Sequence, residues 1–391
     1  MSADAFLEAA LASRDAAGLR RVLRRVEGDQ GTHIRVDGRS VVSLSSNNYL
    51  GLANHPEVVE AACRAAREFG VGAGASRLIS GSMRAHHDLE GQLAAFKQTE
   101  RSLLFTSGYQ ANLGVIPALL GAPDAVFSDA LNHASLIDGC RLSRAAVHVY
   151  PHKDMGALED RLRSVPARRR LIVTDSIFSM DGDATPLGDI CDLAQRYDAM
   201  VMVDEAHATG VVGGRGAGLV DALGLRDRVT VQMGTLGKSL GTFGAYVAGS
   251  SILIDYLLNY ARTFVYTTAL PPPVVAAASA ALCIVEKEPE RREDLRRNAA
   301  RLKAGLSALG LHVPESSSHI MPVMLGEATA TMRMSQALFE RGVLAQGIRP
   351  PTVPEGTARI RVTVMATHSE ADIDQAIAAF RHVVEEAGVE G

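Results

Sequence analysis

The chain is poor in what marks a secreted, membrane-bound or nucleic-acid-binding protein. It has four cysteines in 391 residues, Cys63, Cys140, Cys191 and Cys283, with no Cys-x-x-Cys pair and no histidine at zinc-binding spacing. A disulfide framework and a metal site are therefore not expected, and the thiols read as buried groups in a reducing cytoplasm. The longest apolar run, Val274 to Val285, is short and alanine-rich, so no membrane segment is expected. The first residues, MSADAFLEAALASRDAAGLRR, lack the apolar core of a secretory signal and look like an amphipathic helix. A net charge of −4 leaves no basic field for a polyanion, which argues against nucleic acid as a partner. Low-complexity tracts, internal repeats and long linkers are also missing.

What is present is a large apolar content, 47% of residues, enough to bury an extensive core. After a hairpin pattern around Asp37-Gly38, short β-branched runs alternate with helical stretches. Strands are expected at 103–106, 125–128, 147–150, 171–174, 200–204, 229–233 and 245–248. Runs apolar on both faces and separated by helices predict an α/β fold, a mostly parallel sheet of seven strands covered by helices on both sides. Three prolines, Pro271 to Pro273, mark a change of texture, after which strands at 320–325 and 358–364 and a closing helix at 369–387 suggest a smaller C-terminal α+β unit. The expected division is 1–46 (helix and hairpin), 47–273 (large domain) and 274–391 (small domain).

Chemistry concentrates at expected strand ends. VMVDEAH places Asp204 at the end of an apolar run and His207 three residues on, and TLGKSLG places Lys238 in a glycine-rich turn one βα unit later. A lysine that can hold an aldehyde as a Schiff base and a carboxylate that can keep a ring nitrogen protonated are what pyridoxal phosphate chemistry needs. Taken singly, Asp204 could be a helix cap, His207 a loop residue and Lys238 a solvated charge; together, at the ligand-binding end of a parallel sheet, they point to a cofactor site. Asp-Glu-Ala-His is also a helicase motif and Gly-Lys-Ser ends a P-loop, but the P-loop glycine would fall at Gln232 and the order of the motifs is reversed. TSGYQAN, a glycine turn entering a helix, makes Ser107, Gly108 and Tyr109 a candidate phosphate site. His133 follows the second strand, where it could stack on a pyridine ring, and Ser179 follows the fourth, where it could bond the ring hydroxyl.

SSNNYLGL, GASRLISG, TSGYQAN, NHAS, SIFSMDGD, VDEAHATGVVG, GTLGKSLG, YTTALPP and GIRPPTVPEGTARIR, in this order, resemble the α-oxoamine synthase family of fold-type I pyridoxal phosphate enzymes, from about Ser45 to Thr367. The resemblance implies a homodimeric acyltransferase that joins an amino acid to an acyl thioester in a decarboxylative Claisen condensation. It implies that Lys238 carries the cofactor and moves the Cα proton, that Asp204 pairs with the ring nitrogen, that His207 and Ser179 address the ring hydroxyl, that His133 stacks on the ring, and that Thr235 meets the phosphate. Thr267 or Thr268 would reach the neighbouring subunit's phosphate. Arg349 would grip the amino acid carboxylate with Asn47 as helper, Thr352 would lie near the acyl substrate, and Arg20 or Arg21 would meet a free acyl carboxylate, unless both are solvated charges on an opening helix with Arg24 and Arg25. Within the family, ARTFVYTTALPP and GIRPPTVPEGTARIR suggest a member that takes L-alanine and a pimeloyl group on CoA or a carrier protein, for biotin biosynthesis. Glycine with acetyl-CoA and serine with a long acyl chain are the alternatives, and HIMPVMLGEA looks rather like the glycine-using member.

Overall fold

The computed structural model describes residues 3–16, 18–315 and 318–387. At its centre is a sheet of seven strands, in the order Arg101–Phe105, Ala245–Gly249, Val231–Thr235, Ala199–Asp204, Arg170–Asp175, Ala125–Asp129 and Ala146–Tyr150. Each overlaps an expected strand. Neighbours run parallel except Ala245–Gly249, which is antiparallel to both its partners.

The continuous apolar runs follow from burial on two faces. Leu171, Val173 and Met202 pack on one side with Val115 and Leu119 of helix Gly108–Leu119 and with Leu257 of helix Ser251–Tyr260. The alternate residues Ile172, Val201 and Val203 pack on the other side with Leu158 of helix Met155–Ser164 and Ile190 of helix Leu187–Arg196. Alternating residues of one strand thus serve two cores.

Strands His33–Val36 and Arg39–Ser43 form the expected hairpin, with Asp37 and Gly38 both at positive φ in the turn. Val343–Leu344 then adds to Arg39–Ser43 in parallel, tying the hairpin to the C-terminal part of the chain. Ile320–Gly326, Ala358–Thr363 and Gln346–Ile348 form a three-stranded antiparallel sheet. Helix Pro272–Lys287 starts on the prolines, whose missing N–H groups cost nothing in a first turn, and packs on helices Pro56–Phe69 and Arg84–Lys97.

The opening helix differs from expectation. It covers Ala3–Ala16 and ends where Gly18 takes φ +63°, its N–H bonded to Asp15 O and that of Leu19 to Arg14 O. Arg20, Arg21, Arg24 and Arg25 therefore lie on an irregular segment beyond the helix, not on its polar face. Among the described residues no helix is long and apolar enough to cross a membrane.

Candidate active site

Two parallel strands end side by side, Arg170–Asp175 and Ala199–Asp204, with Asp175 directly opposite Asp204 in the register. Both carboxylates are buried and face one cavity of about 180 Å³, lined also by Gly108, Tyr109, His133, Ser135, His207, Thr235 and Lys238. This is the carboxyl end of the sheet, where open α/β folds bind ligands. Of the residues expected there, Asp204, His207, His133, Lys238, Thr235, Gly108 and Tyr109 come together; Ser107 caps the helix Gly108–Leu119, its Oγ accepting from the Gln110 N–H.

Lys238 stands in the turn between Val231–Thr235 and Ala245–Gly249. The turn is pinned at Gly241, where φ is +65° and a Cβ would come within 2.3 Å of the Ala53 backbone nitrogen. Thr235 braces it from inside, donating to Gly244 O at 3.0 Å and accepting from the Gly237 N–H at 3.2 Å. The lysine Nζ lies 2.8 Å from His207 Nε2. Burial lowers its pKa to about 8, opposed by the Asp204 and Asp175 carboxylates and assisted by Arg361. His207 is pushed well below the usual histidine range by burial and by the Lys238 and Arg361 charges.

Asp204 is held by two donors, the Ala206 N–H on Oδ1 and Asn112 Nδ2 on Oδ2, each at 2.9 Å. Burial and the Asp204 charge raise the Asp175 carboxyl well above the usual carboxylate range. The adjacent Glu205 turns away from the cavity into a fully buried ion pair with Lys97, and its other oxygen accepts the Val220 N–H at 2.9 Å.

Behind His207 runs a wall that no local pattern in the sequence announces. The Tyr49 hydroxyl lies 2.7 Å from His207 Nδ1 and donates to Asn47 Oδ1 at 3.0 Å, and the His319 ring stands edge-on to Tyr49 with centroids 4.2 Å apart. Arg361, 8% exposed, donates to Ser179 O at 2.6 Å and to Asn47 Oδ1 at 3.5 Å. Burial raises the Tyr49 pKa to about 12 and, with Arg361, lowers that of His319 to about 3. Arg361 is then the fixed positive charge of this wall, with N–H donors to spare.

Other expected residues lie elsewhere. Arg349 and Thr352 share a larger cavity, about 790 Å³, with Arg20, Arg21, Arg24 and Gln346. Arg349 follows the edge strand Gln346–Ile348, and its Nη1 lies 2.9 Å from Met332 Sδ. The guanidinium beside Asn47 is that of Arg361. Ser179 presents its carbonyl to Arg361 and does not line the Lys238 cavity. Thr267 and Thr268 line a separate crevice with Arg77 and His86, and Thr268 forms an isolated bridge with Ser76. Among the described residues no group of three or more His, Cys, Asp or Glu side chains could hold a metal ion.

The cavity's donor set fits pyridoxal phosphate. An amine, a doubly anchored carboxylate and a helix N-terminus whose first-turn N–H groups lack intrahelical acceptors meet in one space, matching the aldehyde, the ring nitrogen and the phosphate.

Comparison with known proteins agrees. A family model described as aminotransferase class I and II matches residues 39–380. The 8-amino-7-oxononanoate synthase of Geotalea daltonii is 51% identical over 385 residues, covering 97% of this chain and 98% of that protein. Among solved structures, a serine palmitoyltransferase from S. paucimobilis with a bound PLP–myriocin aldimine superposes with a TM-score of 0.93 at 32% identity, covering 98% of both chains. The 8-amino-7-oxononanoate synthase of Francisella tularensis gives 0.77 at 27% identity, over 89% of this chain and 99% of that one. Likeness along nearly the whole length, with the lysine and carboxylate in one cavity, leaves no part of the fold unaccounted for: the chain belongs to the aminotransferase class I and II family, in the α-oxoamine synthase branch of its fold-type I, pyridoxal phosphate-dependent members.

Proposed function

We propose that this protein is an acyltransferase that condenses L-alanine with a pimeloyl thioester, releasing CO2 and the thiol of CoA or a carrier protein and giving 8-amino-7-oxononanoate for biotin biosynthesis. The observation that carries the chemistry is Lys238, its pKa lowered, hydrogen-bonded to a neutral His207 in the cavity that Asp204 closes. The substrate pair rests on the relatives of that name, about half identical along the whole chain. The serine palmitoyltransferase structures share the fold at lower identity, and make serine with a long acyl chain the second reading.

Asp204 would hold the cofactor's ring nitrogen, the first turn of helix Gly108–Leu119 with Ser107 and Thr235 its phosphate, His133 its ring face, His207 its hydroxyl, and Lys238 its aldehyde. Once bound, pyridoxal phosphate supplies an electron sink for negative charge at the amino acid Cα. Lys238 takes the Cα proton and later returns one, a task that needs a free amine near neutral pH. Arg361, supported by Asn47, holds the amino acid carboxylate until it leaves as CO2, because its planar fork matches two oxygens. Arg349, Thr352 and Arg20 or Arg21 serve the acyl partner, the arginines meeting its distal carboxylate. Buried tyrosine and histidine side chains keep water from the reacting carbon.

Thr267, the exposed Thr268 and the apolar, exposed Val71, Ile79 and Tyr266 fit a homodimer in which a second copy covers this face and receives the threonines at its own phosphate site. The four unpaired thiols suit a cytoplasmic location. The assay is direct: L-alanine, glycine and L-serine, each with pimeloyl-CoA, acetyl-CoA and palmitoyl-CoA, with CoA release followed. Alanine with the pimeloyl donor is expected to turn over fastest; preference for serine with palmitoyl-CoA, or glycine with acetyl-CoA, would reassign the substrates.

A further inference from the structure

Asp204 and His133 are joined through two side chains to which no role has yet fallen. Asn112, on helix Gly108–Leu119 and wholly buried, donates from Nδ2 to Asp204 Oδ2 and to Ser135 Oγ, both at 2.9 Å. Ser135, 1% exposed on helix Ala134–Leu142, has its Oγ 2.7 Å from His133 Nδ1, and its backbone N–H meets the same nitrogen at 3.3 Å. The helices approach closely enough for this because Gly139 faces Asn112: a Cβ there would come within 2.8 Å of the Asn112 carbonyl oxygen.

The direction of every bond in this chain is fixed. A backbone N–H only donates, so His133 Nδ1 accepts, its ring proton sits on Nε2, and the ring is neutral. The Ser135 hydroxyl can then donate to Nδ1 while accepting from Asn112. A carboxylate only accepts, so the Asn112 amide must turn Nδ2 toward Asp204. That orientation leaves Asn112 Oδ1 buried without a partner, a cost of about 1–3 kcal/mol that a purely structural asparagine has no reason to bear. The titratable groups facing the His133 ring are Asp204 and Asp175 from the strand ends and Lys238 from its turn. Burial and Lys238 outweigh the Asp204 attraction and lower the ring's pKa, in line with the geometry.

We propose that Asn112 and Ser135 are positioning residues: they aim the Asp204 carboxylate and lock His133 as the neutral Nε2–H tautomer, so that the ring offers the bound amino acid or its acyl partner a hydrogen-bond donor and never a base. The benefit to catalysis rests on the function proposed above, but the tautomer is a property of the protein alone. It is measured without substrate or cofactor, so its outcome is independent of which thioester the enzyme uses.

The test is 15N spectroscopy of histidine-labelled protein across pH 6 to 9, with His133 assigned by the signals lost in His133→Asn. The expected result is a non-protonated Nδ1 and a protonated Nε2 at neutral pH. Ser135→Ala keeps the backbone N–H but removes the hydroxyl donor to Nδ1, so it should move the His133 titration upward, and Ser135→Thr should restore it. Asn112→Asp, which sets a second carboxylate against Asp204, should weaken pyridoxal phosphate binding by about tenfold or more. A protonated Nδ1 in the unsubstituted protein overturns the proposal. So does a Ser135→Ala protein of lowered Tm whose His133 signals do not move, or unchanged cofactor affinity in Asn112→Asp. If a variant does not fold, the unsubstituted protein's spectrum still decides.

Discussion

Lys238 Nζ lies 2.8 Å from His207 Nε2, and the Tyr49 hydroxyl stands 2.7 Å from the other nitrogen of that ring. Burial and the Lys238 and Arg361 charges hold this imidazole well below the usual histidine range. The result is a neutral histidine, held by a buried phenol, that steadies the amine without competing for its proton.

Capture of the cofactor should follow the free amine. Because burial lowers the Lys238 pKa to about 8, the rate at which the cofactor-free protein takes up pyridoxal phosphate should rise with pH, with a midpoint near 8 and a plateau above it. The same shift sets a sign for stability. Between about 8 and the ordinary lysine value of 10.5 the unfolded chain binds more protons at this site, so its contribution makes the cofactor-free protein more stable as pH rises through that window. Stopped-flow absorbance and denaturant melts, each compared with Lys238→Ala, read the two effects.

The two arginine sites should separate kinetically. Arg361→Gln should raise the KM for L-alanine by roughly 10- to 100-fold, the worth of charged hydrogen bonds to a carboxylate, while changing the KM for the acyl donor little. Arg349→Gln should do the reverse, since it lies in the other cavity. Steady-state kinetics with each substrate varied in turn makes the comparison.

Lys97 and Glu205 should be coupled in stability. Lys97→Met leaves an unpaired carboxylate in a fully buried site next to Asp204 and should cost about 3–5 kcal/mol, whereas adding Glu205→Leu should recover much of the loss. Urea melts of the single and double variants form the cycle.

The sheet was legible in the sequence because strands buried on both faces must be apolar throughout, and all seven run within two residues of where their apolar stretches lie. The antiparallel direction of Ala245–Gly249 was not legible, since composition says nothing of orientation. Asp204, His207 and Lys238 could be read because each stands at a strand end or in a glycine turn of recognisable type. Tyr49, Arg361, Asn112 and Ser135 could not. Tyr49 meets His207 across 158 residues and Arg361 meets Asn47 across 314, contacts between segments too distant in sequence for any local pattern to announce. Arg349, singled out by its motif, lies after the edge strand at the second cavity, while Arg361, on the middle strand of that sheet, stands beside Asn47 without a local pattern that marks it.

The account turns on which amine carries the cofactor. Borohydride reduction of the protein loaded with pyridoxal phosphate, followed by peptide mass mapping, should place the pyridoxyl label on Lys238 and nowhere else. Label on Lys97, Lys153, Lys287 or Lys303 in place of Lys238, or no stable label at all, would contradict it.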